Sequence, residues 1–311
     1  MILTVTLNPS VDISYPLSTL KIDSVNRVSN VTKTPGGKGL NVTRVLKQLE
    51  HPVMATGFLG GANGSFIEEA LHRQQIRHQF QDIQEPTRNC IAVLHEGKQT
   101  EILEHGPSIS KDEQDQFLHM YREMIQDISL VIMSGSLPKG LEDTFYQDMI
   151  KIANENHKTA ILDCSGSTLK TILEGPNKPY LIKPNIEELA SLLNLKYKPS
   201  IEDLKMHLSN PIFNGIKWVV VSLGKDGVFA KHDQTFYKVD IPSVDVMNSV
   251  GSGDSTIAGF AHAIHHKRSD EEILRTGNTL GILNAMSPQT GHVDLEQFQT
   301  IYDSIQVSTV Q

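Results

Sequence analysis

The sequence has 311 residues, of which 39% are hydrophobic, and its formal net charge at pH 7 is -8. A chain of this size can bury a sizeable core, as one large α/β domain or as two smaller ones. The acidic balance argues against nucleic acid as the main partner. The two cysteines, Cys90 and Cys164, lack metal-site spacing and predict a reduced setting. The thirteen histidines are scattered along the sequence, which disfavours a metal cluster of imidazoles.

The first segment predicts a buried strand. Residues 2–7 form an apolar run that is too short to cross a bilayer, and no basic leader precedes it. The run ends at Asn8-Pro9, which places the carboxylate of Asp12 in a loop at the carboxyl end of the strand. Open α/β sheets bind ligands at that end. We therefore expect a cytoplasmic protein that does not bind membranes.

Two segments differ in pattern from the rest of the chain. Residues 13–34 and 89–105 alternate apolar and polar groups around short turn signals, which predicts antiparallel hairpins. We assign them to one small β-lid formed by about 12–34 and 88–105. No long linker separates independent units, so residues 1–311 are expected to form a single domain.

The remaining chain alternates strand with helix. Buried strands are predicted at 52–58, 130–133, 159–163, 180–183 and 218–222, and helices at about 65–78 and 112–128. Crossovers of this length predict an α/β body with a mostly parallel sheet between helices. Residues 228–231 and 235–239 predict an antiparallel edge to this sheet, and residues 255–305 are mainly helical.

The sequence PGGKGLN, residues 35–41, predicts a glycine turn that opens into a helix. Backbone amides at Gly36 and Gly37 could approach a sugar or a phosphate, and Lys38 and Asn41 would add side-chain donors. A tight hinge between lid and body is the alternative. It explains the glycines but neither Lys38 nor Asn41.

A second glycine turn opens into a helix at VGSGDSTIA, residues 250–258. The free N–H groups at a helix N-terminus bind anions, phosphate above all, and Gly251, Ser252 and Gly253 would supply them here. The carboxylate of Asp254 would serve a different atom, such as an attacking hydroxyl. This combination indicates phosphoryl transfer to an alcohol, whereas the alternative is that Asp254 is merely an N-cap.

Asn185 and Glu188 follow a predicted strand and stand three residues apart, so they share a face of the next helix. Their oxygens suit Mg²⁺ or its waters near nucleotide phosphates. A capping box explains the same spacing. The preceding Lys183 weakens that alternative slightly.

Two weaker signals complete the candidate site. The sequence SLGKDG, residues 222–227, could lie along nucleotide phosphates through Ser222, Gly224 and Gly227, although a hairpin turn explains it equally well. Arg27 and Arg88 fall near the lid edges, where a guanidinium could clamp a substrate phosphate.

In this order, the motifs resemble those of the PfkB (ribokinase-like) family of carbohydrate kinases along nearly the whole chain. PGGKGLN is similar to the first signature of the family and NSVGSGDSTIAG to the second, and NPSVD, SGSLPKG, KPNIEEL and SLGKDG match in order. The resemblance implies a ribokinase-like three-layer α/β fold with a β-lid, and MgATP as the phosphoryl donor.

The resemblance also implies roles for the candidate residues. Asp254 would be the catalytic base, and Gly251, Ser252 and Gly253 would form the anion hole. The sugar would contact Asp12, Gly36, Gly37, Lys38 and Asn41, and its phosphate would contact Arg27 and Arg88. The nucleotide would contact Lys183, Ser222, Gly224 and Gly227, and the metal would associate with Asn185 and Glu188. Asn248 replaces an Asp that is frequent in the family, and we assign it no catalytic role.

The resemblance is strongest to the phosphosugar branch of the family. It implies phosphorylation of D-tagatose 6-phosphate at O1 to the 1,6-bisphosphate, in lactose and galactose breakdown, with fructose 1-phosphate as the alternative substrate. A non-catalytic sensor of nucleotide or sugar phosphate is disfavoured, because sensing needs no general base. A dehydrogenase is weaker still, since no GxGxxG follows the first strand. Exposed lid edges could pair across a two-fold axis, so we expect a homodimer.

Overall fold

A computed structural model describes residues 1–196 and 199–310. The strands are β1 (Ile2–Thr6), β2 (Ser10–Leu17), β3 (Thr32–Gly36), β4 (Val53–Leu59), β5 (Arg77–His78), β6 (Gln81–Asp82), β7 (Arg88–His95), β8 (Lys98–Leu103), β9 (Leu130–Ser134), β10 (Thr159–Asp163), β11 (Leu181–Ile182), β12 (Trp218–Ser222), β13 (Val228–His232), β14 (Thr235–Asp240) and β15 (Gln306–Val310). The α-helices are α1 (Lys38–Gln48), α2 (Gly61–Arg73), α3 (Lys111–Met124), α4 (Phe145–Glu155), α5 (Gly166–Glu174), α6 (Ile186–Leu192), α7 (Leu204–Leu208), α8 (Ser252–His265), α9 (Asp270–Met286) and α10 (Phe298–Ser304). Short 3₁₀ helices occur at Ile125–Asp127, Pro211–Phe213, Gly224–Asp226 and Leu295–Gln297.

The larger sheet is mostly parallel and runs in the order β15-β14-β13-β12-β11-β10-β9-β1-β4-β5, with β6 also paired to β4. Every pair from β12 to β5 is parallel, whereas β13, β14 and β15 are joined antiparallel. The carboxyl ends of six neighbouring strands, from β12 to β4, therefore meet at one edge. In open α/β sheets that edge carries the ligand site.

Both faces of this sheet are buried, which explains the continuous apolar strands. Neighbouring residues of a strand face opposite sides, so Val131 belongs to one core cluster and Ile132 to the other. The first cluster includes Phe117 and Tyr146, and the second contains Phe260 of α8. The predicted α/β class, with a mostly parallel sheet between helices, is confirmed.

Three details differ from the prediction. Asp12 was predicted to lie in a loop, but it lies within β2 and pairs with Thr34 of β3, because the chain enters the smaller sheet directly after Pro9. The hairpin β13–β14 is present, but the sheet edge is β15, which pairs with β14. Its sequence QVSTV is short and half polar, so its pattern did not stand out. Helix α2 ends at Arg73 rather than near residue 78, because Gln75 adopts a left-handed backbone (φ 54°) that turns Ile76 back into the core.

The smaller sheet has four strands in the order β3-β2-β7-β8 and contains both segments in which hairpins were predicted. Its two outer pairs are antiparallel, and β2 and β7 join them in parallel. Val11 and Ile13 of β2 pack on Leu40, Leu59 and Ile67 of the body. A cleft of about 900 Å³ separates its far end from residues 246–250, which lead into α8. That this sheet acts as a lid stays a prediction.

No helix in the described part of the chain is both long enough and apolar enough to cross a membrane.

Candidate active site

The side chain of Asp254 is the centre of the candidate site. Helix α8 begins at Ser252, and its N-cap is Gly251, which has a left-handed backbone (φ 84°). Asp254 is therefore the third residue of the helix. The alternative in which Asp254 caps the helix is therefore wrong. The carboxylate is buried, and Asn41 Nδ2 donates to its Oδ2 at 2.7 Å. Burial and the nearby charge of Asp163 raise its pKa to about 6, against the opposing effects of Lys38 and Asn41.

The amide of Asn41 is oriented by a residue that the sequence analysis missed. Arg44, one turn further along α1, donates to Asn41 Oδ1 and, at 2.6 Å, to the carbonyl of Pro35. This contact directs the NH₂ group of Asn41 toward Asp254. No local motif marked Arg44, although its spacing of three residues from Asn41 on a predicted helix is the signal that could have identified it.

A second missed residue, Asp163, lies between two of the predicted lysines. It ends β10, and its carboxylate is 3.2 Å from Lys38 Nζ and 3.8 Å from Lys183 Nζ. Burial alone would raise the pKa of Asp163, but the charges of Lys183 and Lys38 hold it below its usual value. The carboxylate in turn raises the pKa of Lys38. Its signal was a carboxylate at the carboxyl end of a predicted parallel strand.

The second glycine turn lies beside the charged residues Lys38, Asp163 and Lys183, which we call the charged group. A Cβ on Gly253 would stand 3.2 Å from Lys183 Nζ, so the ammonium sits beside the first turn of α8. Asn284 of α9, which was not predicted from the sequence, stabilises this turn through hydrogen bonds. It is fully buried, donates to the Val250 carbonyl at 2.9 Å and accepts from Gly291 N–H at 2.8 Å.

The first glycine turn borders Asp12. A Cβ on Gly36 would lie 2.0 Å from Asp12 Oδ1, so any larger residue would displace this carboxylate. Ser10 donates to the same oxygen at 2.6 Å, whereas burial raises the pKa of Asp12. Gly37 has a φ of 108° and is the N-cap of α1. Lys38 then begins the helix with its side chain 45% exposed, so it can reach a ligand in the cleft.

The two motifs predicted to contact the nucleotide, residues 185–188 and 222–227, also make contacts that stabilise the fold. Asn185 Oδ1 accepts from Glu188 N–H and Glu188 Oε2 accepts from Asn185 N–H, both at 2.8 Å, so the capping box is present. Ser222 N–H donates to the Pro184 carbonyl, which brings the two motifs together. Gly224 (φ 63°) has no described atom within 4 Å of its Cβ position, whereas a Cβ on Gly227 would strike the Val239 carbonyl at 2.0 Å. Gly227 therefore serves the β12–β13 turn.

The two arginines differ in setting. Arg27 is exposed in the loop between β2 and β3. Arg88 starts β7 and donates to the carbonyls of Glu104 at 2.9 Å and of Asn8 at 3.1 Å. The positive charge of Arg88 opposes the rise in the pKa of Asp12, so Arg88 lies on the Asp12 side of the cleft.

Asn248 stands outside the charged group. Its side chain donates to Thr290 Oγ1 and accepts from Val250 N–H, which supports the turn before α8.

The carboxyl edge of the parallel sheet therefore holds a buried carboxylate, two lysines and a helix N-terminus, which suit phosphoryl transfer to an alcohol. The sequence matches the model of the pfkB family carbohydrate kinases over residues 5–297, and the chain belongs to this family.

Several solved structures share the fold over the whole chain. A candidate phosphofructokinase from Staphylococcus aureus is 31% identical, with a TM-score of 0.86 and coverage of 100% of this chain and 99% of that one. Phosphofructokinase-2 from Escherichia coli, in complex with fructose-6-phosphate, is 27% identical (TM-score 0.87, coverage 97% and 98%). A candidate 1-phosphofructokinase from Thermotoga maritima is 25% identical (TM-score 0.88, coverage 100% of both). The chain is thus a sugar kinase of the phosphofructokinase type.

Proposed function

We propose that this kinase transfers the γ-phosphoryl group of ATP to O1 of D-tagatose 6-phosphate. The observation that carries the proposal is the buried carboxylate of Asp254, held by Asn41 at the N-terminus of α8. A base at that point serves a hydroxyl, while the helix N-terminus beside it serves an anion.

In this mechanism Asp254 accepts the proton of the attacking hydroxyl. A pKa of about 6 leaves the carboxylate mostly ionised at pH 7 yet basic enough to accept a proton. The N–H groups of Gly251 and Gly253 would stabilise the charge that develops on the transferred group, together with the ammonium of Lys183. Ser252 N–H donates to the Ser249 carbonyl at 3.3 Å and would have to exchange that bond for one to the transferred group. Closure of the four-stranded sheet would exclude water, which otherwise competes as the acceptor.

The residues present fit Mg²⁺ on the nucleotide side. Mg²⁺ takes oxygen ligands and keeps several waters. Glu188 uses Oε2 in the capping box, so Oε1 remains for Mg²⁺ or its waters, and Asn185 fixes the orientation of the carboxylate. When bound, the ion would neutralise charge on the phosphates of ATP. Lys183, Ser222 and Gly224 would contact the nucleotide at the same edge of the sheet.

The sugar phosphate would lie between the two sheets. Asp12, Lys38 and the turn at Gly36 and Gly37 would contact its hydroxyls, with Asn41 at the reacting end. Arg27 and Arg88 would bind the existing phosphate, which places it opposite Asp254. Fructose 1-phosphate is the second candidate, because the similarity to the Thermotoga maritima protein supports it equally.

A coupled ADP-release assay tests the substrate. We expect the highest kcat/KM with tagatose 6-phosphate and very poor turnover of unphosphorylated ketoses, whose missing phosphate leaves the arginines unpaired. Fructose 6-phosphate and fructose 1-phosphate are the comparison substrates. A preference for fructose 1-phosphate would replace tagatose 6-phosphate with the second candidate and leave the kinase class unchanged.

We also propose that this kinase is a cytoplasmic homodimer and that it acts in lactose and galactose breakdown. Strand β8 is exposed along its whole length, and Ile102 and Leu103 are each 58% exposed. The inner edge of β8 pairs with β7, and its outer edge pairs with no strand in the described part of the chain. A partly apolar edge strand of this kind is suited to pairing with a second copy of itself.

A further inference from the structure

Four histidines from two distant segments of the sequence converge at the end of the body opposite the kinase site. His51 follows α1, and His262, His265 and His266 lie at the carboxyl end of α8. The ring of His51 is within 5.5 Å, centroid to centroid, of each of the other three. The prediction that the histidines form no cluster did not foresee this arrangement, because sequence patterns do not show contacts between segments this far apart in the chain.

We propose that His51, His262 and His266 form a binding site for a divalent transition-metal ion, with Zn²⁺ as the best-fitting ion. Their candidate ligand nitrogens lie within 4.8 Å of one another. In a tetrahedral zinc site, bonds of about 2.0–2.1 Å place ligand nitrogens roughly 3.3 Å apart. The three side chains would therefore have to move their nitrogens closer together by up to about 1.5 Å to reach that geometry.

Two buried nitrogens support the site independently of these distances. His51 Nε2 and His262 Nδ1 have no hydrogen-bond partner among the described residues, although His51 is only 5% exposed. An unpaired polar atom of this kind is unfavourable in a protein interior, and a metal bond removes the penalty.

Access and a fourth ligand position are also present. His266 is exposed, which opens the cluster to solvent. His265 contacts His51 with a centroid distance of 4.6 Å and bonds to Ser129 Oγ at 2.8 Å through Nδ1. The fourth position would go to His265 or to water. Imidazole nitrogen selects Zn²⁺, Cu²⁺ or Ni²⁺ over Mg²⁺, so this site differs in chemistry from the one proposed at Glu188.

The site would join two helices that also carry the kinase centre. His265 is eleven residues after Asp254 on α8, or about 16 Å along the helix axis. The amino-terminal ends of α1 and α8 are joined by the bond from Asn41 to Asp254. A metal ion would join their carboxyl ends, where the helix dipole favours a cation.

Zinc binding by the full-length, tag-free protein tests the proposal. We expect one tight Zn²⁺ per chain in competition with a chromogenic chelator, and no displacement by millimolar Mg²⁺. His266→Ala should weaken binding at least tenfold, and so should His51→Gln, while the exposed control His119→Ala should bind as the wild type does. Because His266 is exposed, its variant is expected to fold even if His51→Gln does not.

Thermal unfolding gives a second readout that does not depend on kinase activity. Zn²⁺ should raise the Tm of the wild type and of His119→Ala, and it should leave the Tm of His266→Ala unchanged. Absence of a stoichiometric site, or equal zinc binding by the wild type and His266→Ala, would overturn the proposal.

Discussion

At the scale of single residues, Asp254 has to be buried and ionised at the same time. Its burial disfavours the charge, and the donor of Asn41 together with the ammonium of Lys38 favours it. Arg44 contributes indirectly, because it fixes which end of the Asn41 amide faces the carboxylate. The basicity of the site is therefore a balance between these neighbours.

Replacement of Asp254 by Asn distinguishes between two roles for this residue, a general base and a purely structural side chain. Asn keeps the size of the side chain and removes the proton acceptor, so kcat should fall by roughly 10²–10⁴-fold. ATP affinity and the folded state should survive, as measured by nucleotide binding and circular dichroism. Near-normal turnover by a folded Asp254→Asn protein would contradict the proposed mechanism.

The pH dependence follows from the same carboxylate. Its pKa is raised to about 6, so kcat/KM should rise as pH passes through that value and the base ionises. Asn41→Ala removes a hydrogen bond to the ionised form and should move this inflection to higher pH. Stability should show the opposite trend, because a raised pKa in the folded state favours folding at low pH and loses that contribution as pH rises through about 6. An unshifted inflection in Asn41→Ala would argue against Asp254 as the titrating group.

At the scale of elements, the N-terminus of α8 is held by α9 rather than by its own cap. Gly251 has no side chain, and Asn284 supplies the missing contacts to the turns before α8 and after α9. Both turns approach the candidate site from the body of the protein. Asn284 therefore couples the shape of the proposed anion hole to the packing of two helices.

Asn284→Leu should destabilise the protein and loosen this turn. The substitution leaves the Val250 carbonyl and the Gly291 N–H without their bonds, at roughly 1–3 kcal/mol each if both stay buried. Denaturant unfolding should show the loss, and KM for ATP should rise. Asn278→Leu is the matched control, since the one described partner of that buried amide is the Leu274 carbonyl of its own helix. Equal effects of the two variants on KM would mean that Asn284 has no special role in the turn.

At the scale of the whole molecule, the small sheet is the surface most suited to self-association. One of its faces packs on the body through Val11 and Ile13, and its outer strand β8 is exposed. The loop before β3, at the opposite edge of this sheet, also carries exposed apolar side chains, with Ile22 82% exposed and Val25 74% exposed.

We expect a dimer in sedimentation, and Ile102→Asp should convert it to a monomer of about 34.5 kDa. A charge at this position opposes burial of the β8 edge against a second copy. Met206→Asp introduces the same charge at an exposed residue of α7 and should leave the dimer intact. A wild-type protein that sediments only as a monomer would remove the dimer from the proposal.

The sequence by itself determined the features that are encoded locally. Apolar runs with helical crossovers determined the parallel sheet, and each glycine turn lies directly before its helix, so Lys38, Asn41 and Asp254 could be chosen as candidates from short windows. The tertiary structure decided which residues meet. Asn41 and Asp254 are 213 residues apart, and Lys38 and Asp163 are 125 apart. Asp163, Arg44, Asn284 and the pairing of His51 with the histidines of α8 were not predicted, because their partners are brought together by long-range packing that local patterns do not encode.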